Sequence, residues 1–136
     1  MRNFKGIIMS DIFILDTFAW IEYFLGSKNG EKVKNFIESN KAVTPTIVIA
    51  ELSARYSNEG KNFSSRLKFI KFNTNTAFLN DTIAELAGKT KTEQRKKKKS
   101  FGIVDSIVYA TALSLNAKII TGDRHFQDMG NVVMLE

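Results

Sequence analysis

Short apolar runs alternate with longer amphipathic stretches along the chain. The runs at 12–16, 41–44, 118–121 and 132–135 are continuous, which is typical of strands buried on both faces of a sheet. The stretch at 71–74 is a weaker candidate for a strand. No apolar run exceeds four residues, whereas a bilayer span needs roughly 20. We therefore expect no transmembrane segment.

Helical spacing fills the segments between these runs, because apolar residues recur there at intervals of three and four. The predicted helices cover 17–26, 28–39, 45–58, 61–73, 76–94 and 103–117. Pro45 suits the first turn of the third helix, and Thr44 is available as its N-cap. Strands joined by helical crossovers predict an α/β fold. We expect a central parallel sheet of four or five strands with helices on both faces.

Composition limits the chain to one domain and removes several kinds of chemistry. A length of 136 residues with 43% hydrophobic residues is typical of a single core, so we expect one domain over residues 1–136. Residues 1–8 are expected to be an extension outside the core, because Met9 would also serve as a start. The absence of cysteine excludes disulfides, thiolate nucleophiles and Cys-ligated metals. We expect a cytoplasmic protein.

Positive charge is concentrated in one segment. Residues 89–99 hold seven Lys or Arg and one Glu, which accounts for the whole formal net charge of +6. Repulsion among consecutive like charges predicts a loop or a frayed helix end. The segment is either a solvated surface or a contact for the phosphate backbone of a nucleic acid. Its candidate RNA-binding residues are Arg95, Lys96, Lys97, Lys98 and Lys99.

Four of the fourteen acidic residues lie among apolar neighbours. Asp16 and Asp123 follow predicted strands, and Glu51 and Asp105 share helical faces with apolar residues. A desolvated carboxylate costs several kcal/mol unless a cation, a donor or a metal offsets it. Ligands of open parallel sheets bind beyond the carboxyl ends of the strands. Oxygen ligands without cysteine favour Mg²⁺ or Mn²⁺, so the four acids predict a divalent-metal site.

Each acid also has a simpler interpretation. Asp16 and Asp123 could be ordinary helix N-caps after strands. Asp105 could cap its own helix, and Glu51 could pair with Arg55 one turn later. Each alternative is reasonable for one acid. For all four acids together they require four separate explanations, whereas a metal site requires one.

Neighbouring polar residues are candidates for supporting roles. Thr17, Ser106 and Thr121 carry hydroxyls near the acids, where a hydroxyl can orient a carboxylate or a bound water. His125 is the only histidine. Because no Ser or Cys partner is indicated for it, we expect a loop residue without a role in the chemistry.

The segments around the four acids resemble the PIN-domain nucleases, and within them the VapC-type ribonuclease toxins of toxin–antitoxin pairs. These segments are LDTFAWIEYF around Asp16, PTIVIAELSARY around Glu51, FGIVDSIVYATALSLNAKIIT around Asp105 and TGDRHF around Asp123. The likeness covers about residue 12 to the end of the chain. The family's metal-binding acids match the four acids, and a family hydroxyl matches Thr121.

The resemblance implies a Mg²⁺- or Mn²⁺-dependent endoribonuclease that hydrolyses RNA phosphodiester bonds and is commonly a homodimer. It also implies a cognate antitoxin that covers the acidic pocket. Asp16, Asp105 and Asp123 would coordinate metal directly, and Glu51 would bind through water or orient the attacking water. The basic segment would hold the RNA backbone. One or two metal ions are both compatible with the sequence.

Other classes of protein are alternatives. A PIN-like protein that binds or processes RNA outside a toxin pair would carry the same acids. A phosphoacceptor receiver domain is also a Mg²⁺-binding α/β protein, but it needs adjacent acids after the first strand, where this chain has Asp16-Thr17. A haloacid-type phosphatase needs Asp-x-Asp there, and this chain has Asp16-Thr17-Phe18.

Overall fold

The computed structural model describes residues 11–136, in which five strands and six α-helices alternate. The prediction for residues 1–8 lies outside the described residues. The strands are β1 (Phe13–Leu15), β2 (Ala42–Pro45), β3 (Asn75–Ala77), β4 (Lys118–Thr121) and β5 (Val132–Met134). The helices are α1 (Thr17–Leu25), α2 (Lys28–Glu38), α3 (Thr46–Asn58), α4 (Ser64–Asn73), α5 (Asp81–Gln94) and α6 (Ile103–Leu115). None of the helices between residues 11 and 136 is long and apolar enough to cross a membrane.

All five strands are parallel and lie in the order β3-β2-β1-β4-β5. The chain runs outward from β1 to β3 on one side, then crosses back to β4 and β5 on the other. Right-handed crossovers in opposite directions place helices on both faces, so the predicted fold class is confirmed. The order differs from the 2-1-3-4-5 order of flavodoxin-like sheets, and the receiver-domain alternative is therefore wrong.

The core lies at the centre of the sheet. The side chains of β1 are buried, and so are Ile119 and Ile120 of β4. Trp20 of α1 is fully buried, and its Nε1 donates to Thr44 Oγ1 at 3.1 Å. Thr44 is thus a buried strand residue, and its predicted role as N-cap of α3 is wrong. The N-cap of α3 is Pro45, which makes no side-chain cap bond.

The region around β3 differs from the sequence prediction. Helix α4 extends to Asn73, and the backbone N–H of Thr74 still donates to the Ile70 carbonyl. The strand predicted at 71–74 therefore lies later, at Asn75–Ala77, where it pairs with β2. Helix α5 begins at Asp81 rather than at 76 because the Asn80 side chain accepts from Ile83 N.

Candidate active site

The four predicted acids lie around one cleft at the carboxyl edge of the sheet. Asp16 follows β1 directly, and Asp123 follows β4 after one glycine. Glu51 belongs to α3 and Asp105 to the first turn of α6. All four line a cavity of about 220 Å³. Between β1 and β4 the strand order switches from one side of the sheet to the other, which is the position where ligands bind in open parallel sheets.

Asp16 is the most deeply placed of these acids, with 5% of its surface exposed. Burial raises the pKa of its carboxyl to about 7, against lowering by hydrogen bonds from Thr121 and from the Ala19 N–H. The charges of Asp123 and Glu51 raise this pKa further. The ionised form of Asp16 is therefore disfavoured in the cleft unless a cation lies beside it.

Asp105 lies at the other side of the cleft, where a backbone N–H and an imidazole nitrogen contact its carboxylate. Its Oδ2 accepts from Gly102 N at 3.1 Å and lies 2.8 Å from Nδ1 of His125. Burial raises the pKa of Asp105, while the Gly102 N–H and His125 lower it. The same Nδ1 lies 3.5 Å from Oδ1 of Asp123. His125 therefore connects two of the four acids.

The prediction that His125 is a loop residue is wrong, while the prediction that it takes no part in the chemistry stays a prediction. It lies in the short 3₁₀ helix Arg124–Phe126 that follows Asp123. Its Nε2 lies 2.9 Å from Ser100 Oγ, a partner remote in sequence. The sequence shows that it stands two positions after Asp123, but no local pattern shows its contacts with Asp105 and Ser100.

Glu51 is held by Thr17 and not by Arg55. The Thr17 hydroxyl donates to Glu51 Oε1 at 2.5 Å, whereas Arg55 pairs with Glu59 at 3.4 Å. The interpretation of Glu51 as a surface partner of Arg55 is therefore wrong. Thr17 orients the Glu51 carboxylate toward the cleft, which both side chains line.

The other two predicted hydroxyls differ in their contacts. Thr121 Oγ1 accepts from Asp123 N at 2.9 Å and hydrogen-bonds to Asp16, so it connects two acids. Ser106 is buried, and its hydroxyl donates to the Gly102 carbonyl at 2.8 Å. Within residues 11–136 Ser106 makes no hydrogen bond to any of the four acids, and its predicted supporting role stays a prediction.

Three of the acids are helix caps as well as members of the cluster. Asp16 accepts from Ala19 N and Asp123 from His125 N, each at 2.9 Å. Asp105 accepts from the backbone at the start of α6. Capping explains the orientation of each carboxylate but not why three caps share one cleft. Within residues 11–136, no Lys or Arg forms an ion pair with any of the four acids.

Gly122, between β4 and Asp123, allows the Phe18 ring to pack directly against the backbone. A Cβ at this position would lie 2.3 Å from Cε1 of Phe18. Phe18 itself lines the cleft. A side chain at 122 would displace this ring, so the close approach of Phe18 to the backbone requires glycine here.

The basic segment leaves α5 as a series of turns, as its charge predicts. Lys98 Nζ donates to the carbonyls of His125 and Gln127, at 2.8 and 2.7 Å. Lys96 pairs with Glu93 at 3.0 Å, and the Arg95 guanidinium bonds to the Lys99 carbonyl. The segment therefore lies beside the turn that carries Asp123. Lys98 is engaged by that turn, while Lys97 and Lys99 are exposed.

The donor set fits a divalent ion. One ligand atom each from Asp105, Asp123 and His125 lies within 4.8 Å of the others. The cluster is anionic, partly buried and unpaired with Lys or Arg among the described residues. Such a cluster is stabilised by a bound cation. The role of the four acids in binding a metal stays a prediction.

Comparison with known proteins agrees with this geometry. The family model described as PIN domain matches residues 13–132. The chain belongs to the PIN-domain family. PIN domains are nucleases, that is, hydrolases acting on nucleic acid. No curated protein sequence matches the chain significantly.

Several solved structures share this PIN fold. A toxin–antitoxin complex from Klebsiella pneumoniae is 20% identical, with a TM-score of 0.70, over 89% of this chain and 95% of that chain. VapBC2 from Rickettsia felis, bound to a promoter DNA fragment, is 19% identical with a TM-score of 0.73, over 91% and 97%. VapBC-1 from Haemophilus influenzae is 25% identical with a TM-score of 0.64, over 92% and 97%. The PIN domain thus spans nearly the full length of these chains.

Proposed function

We propose that this PIN domain is a Mg²⁺- or Mn²⁺-dependent endoribonuclease and the toxin of a VapBC-type toxin–antitoxin pair. The observation that carries the nuclease is the convergence of Asp16, Glu51, Asp105 and Asp123 on one cleft without a Lys or Arg partner in residues 11–136. The toxin assignment is supported by structural neighbours that are toxin–antitoxin complexes.

In this function Asp16, Asp105 and Asp123 hold the metal, and Glu51 orients the attacking water. A bound Mg²⁺ or Mn²⁺ supplies Lewis-acid activation of water and compensates negative charge on the phosphoryl oxygens. The Thr17 hydroxyl fixes the rotamer of Glu51, so the carboxylate is in place before substrate arrives. Thr121 links Asp16 to Asp123 and keeps the two strand-end acids at a constant separation.

The remaining lining of the cleft favours hydrolysis by water over attack by a side chain. The apolar wall residues are Phe18, Ile21, Val104, Val108 and Phe126. They offer no nucleophile, and the Thr17 hydroxyl is already used by Glu51. Apolar walls also lower the local dielectric, which strengthens the interaction of the acids with a cation.

RNA as the substrate is supported by the position of the basic segment. The two bonds from Lys98 hold the segment next to the Asp123 turn, and Lys97 and Lys99 of the same segment are exposed. Their charges would bind the phosphate backbone without selecting a base sequence. A cognate antitoxin would cover the cleft, where one basic side chain would offset the acids. We further propose a cytoplasmic homodimer.

RNA cleavage with a matched pair of variants tests the nuclease. Purified protein is incubated with structured RNAs and Mn²⁺ or Mg²⁺, and products are separated on a gel. Asp16→Asn should reduce cleavage at least about 100-fold, because catalysis depends on charge at this position. Glu38→Gln should cleave normally, because Glu38 is exposed at the end of α2, at the opposite edge of the sheet. Full activity of Asp16→Asn, or cleavage that persists in EDTA, would refute the proposal.

The toxin assignment has its own test. Induced expression in a bacterial host should arrest growth, and Asp16→Asn should relieve the arrest at equal protein level. Co-expression of the product of a small reading frame next to the gene should restore growth and co-purify with the domain. Metal-dependent cleavage without growth arrest or partner would support the alternative of an RNA-processing PIN protein.

A further inference from the structure

We propose that His125 is a nitrogen ligand of the metal centre and makes that centre select Mn²⁺ over Mg²⁺. The inference rests on the proposed function only in that a divalent ion is taken to occupy the cleft. It concerns the identity of one ligand and the metal class that this ligand favours.

The positions of the donor atoms fit one shared ion. Nδ1 of His125 lies 2.8 Å from Asp105 Oδ2 and 3.5 Å from Asp123 Oδ1. All three donor atoms lie within 4.8 Å of one another. In an octahedron with bonds of about 2.1 Å, neighbouring ligands are about 3.0 Å apart and opposite ones about 4.2 Å. The observed separations therefore need little rearrangement of the three side chains.

The hydrogen bond of the second ring nitrogen supports ligation by the first. Nε2 of His125 lies 2.9 Å from Ser100 Oγ. When Nε2 carries the proton and donates to Ser100, Nδ1 presents a lone pair toward two carboxylates. In that tautomer Nδ1 and the carboxylate oxygens are all acceptors, and a cation shared among them would offset their repulsion. Metal-binding histidines commonly donate their other N–H to an oxygen in this way.

The backbone and a neighbouring ring fix the imidazole further. Phe101 is fully buried and meets the His125 ring edge-on, with ring centroids 6.5 Å apart. Lys98 binds the His125 carbonyl, and the His125 N–H donates to Asp123. These protein contacts orient the ring toward the acids, and such pre-organisation lowers the free-energy cost of ligation.

A nitrogen ligand changes which ion the site prefers. Carboxylates suit Mg²⁺ and Mn²⁺ alike, whereas an imidazole nitrogen is a better ligand for a first-row transition ion such as Mn²⁺ than for Mg²⁺, a hard cation that prefers oxygen ligands. The four carboxylates account for binding of either ion, and His125 accounts for the preference for Mn²⁺ over Mg²⁺. A competing explanation is that protonated His125 acts only as a counter-ion for Asp105, in which case it would compete with any metal.

Metal binding without RNA tests the inference. Free Mn²⁺ is followed by electron paramagnetic resonance during titration of the intact chain, and Mg²⁺ is added as competitor. His125→Ala should weaken Mn²⁺ binding by about tenfold or more, with a smaller effect on Mg²⁺. His125→Asp should bind both ions and lose the preference for Mn²⁺. Ser100→Ala should weaken Mn²⁺ binding less than His125→Ala, because it removes only the orienting bond.

The results separate the explanations. An unchanged Mn²⁺/Mg²⁺ ratio in His125→Ala, or tighter Mn²⁺ binding, would overturn the inference, and the latter would identify a counter-ion. Melting curves without metal check that each variant folds, and exposed Ser100 provides a variant that leaves the core intact. Mn²⁺ binding through His125 without RNA cleavage would refute the proposed function alone. Cleavage with an unchanged ratio would refute this inference alone, and no metal binding at all would refute both.

Discussion

Asp16 is a helix cap and, in the proposed function, also a metal ligand. It caps α1 through the Ala19 N–H and also lies almost fully buried beside two other acids. A cap alone would be satisfied at the surface, where ionisation costs nothing. Burial of the ionised carboxylate therefore reduces the stability of the fold, and a cation bound in the cleft would offset this loss.

This cost predicts a pH-dependent effect of Asp16→Asn on stability. The pKa of Asp16 is raised from 3.8 to about 7 in the folded protein, so the folded state binds this proton more tightly than the unfolded chain. The carboxyl destabilises the fold increasingly as pH rises from about 4, and the full cost is present above about 7. Asn stays neutral and still accepts from Ala19 N. The melting temperature of Asp16→Asn in EDTA should exceed that of the wild type, by more at pH 8 than at pH 5.

Thermal melts at several pH values measure this difference. Glu38→Gln serves as the control, because Glu38 is exposed and far from the cleft edge. A gain that is equal at pH 5 and pH 8 would mean that Asp16 titrates alike in folded and unfolded chains, against the burial argument.

The acids could be recognised from the sequence, but His125 could not. Each acid departs from its surroundings, since a carboxylate among apolar residues needs an explanation. Histidine is tolerated on surfaces and in cores, so its presence in a turn indicates nothing by itself. Its contacts with Asp105 and Ser100 connect residues 20 and 25 positions apart, and no local pattern contains that information.

At the scale of elements, the basic segment and the Asp123 turn form one unit. The sequence predicts a loop there from charge repulsion, and the turns after α5 agree. The bonds from Lys98 to His125 and Gln127 could not be predicted, because a run of like residues does not show which member is tethered. The misplaced β3 has a similar origin, since helix α4 and the strand are separated only by Thr74.

Two neighbouring lysines should therefore behave differently. Lys97→Gln should weaken RNA binding and lower the slope of log affinity against log salt by about one, because an exposed phosphate contact is lost. Its metal affinity should be unchanged. Lys98→Gln should weaken metal binding and lower the melting temperature, because the turn with Asp123 and His125 loses two bonds.

Fluorescence anisotropy at several salt concentrations, together with Mn²⁺ titration, distinguishes the two lysines. Each variant is the control for the other, since the charge change is identical. If both variants lower the salt slope equally and neither changes metal affinity, Lys98 is an ordinary exposed lysine. That result would contradict its role in holding the Asp123 turn.

For the whole molecule, the fold class could be predicted, but the order of the strands could not. Buried runs separated by helical segments indicate a parallel sheet. Periodicity does not show that β4 pairs with β1 rather than with β3, and this pairing brings Asp123 beside Asp16. The site exists because the chain returns to the middle of the sheet after α5 and α6.

This origin of the site predicts that a divalent ion stabilises the whole domain. The cleft takes its acids from the ends of β1 and β4 and from α3 and α6, which meet only in the folded chain. An ion that binds only the folded state at about 100 times its dissociation constant contributes about 2.7 kcal/mol. For a domain of 136 residues this corresponds to a rise of roughly 5–10 °C in melting temperature.

Calorimetry with Mn²⁺, with Mg²⁺ and with KCl at matched ionic strength separates binding from screening. The wild type and Glu38→Gln should show the rise in one cooperative transition, whereas Asp16→Asn and Asp105→Asn should lose most of it. If KCl at equal ionic strength raises the melting temperature as much as the divalent salts, the ions only screen repulsion among the carboxylates. The four acids would then not form a specific metal site. This result would contradict the proposal of a metal-dependent nuclease.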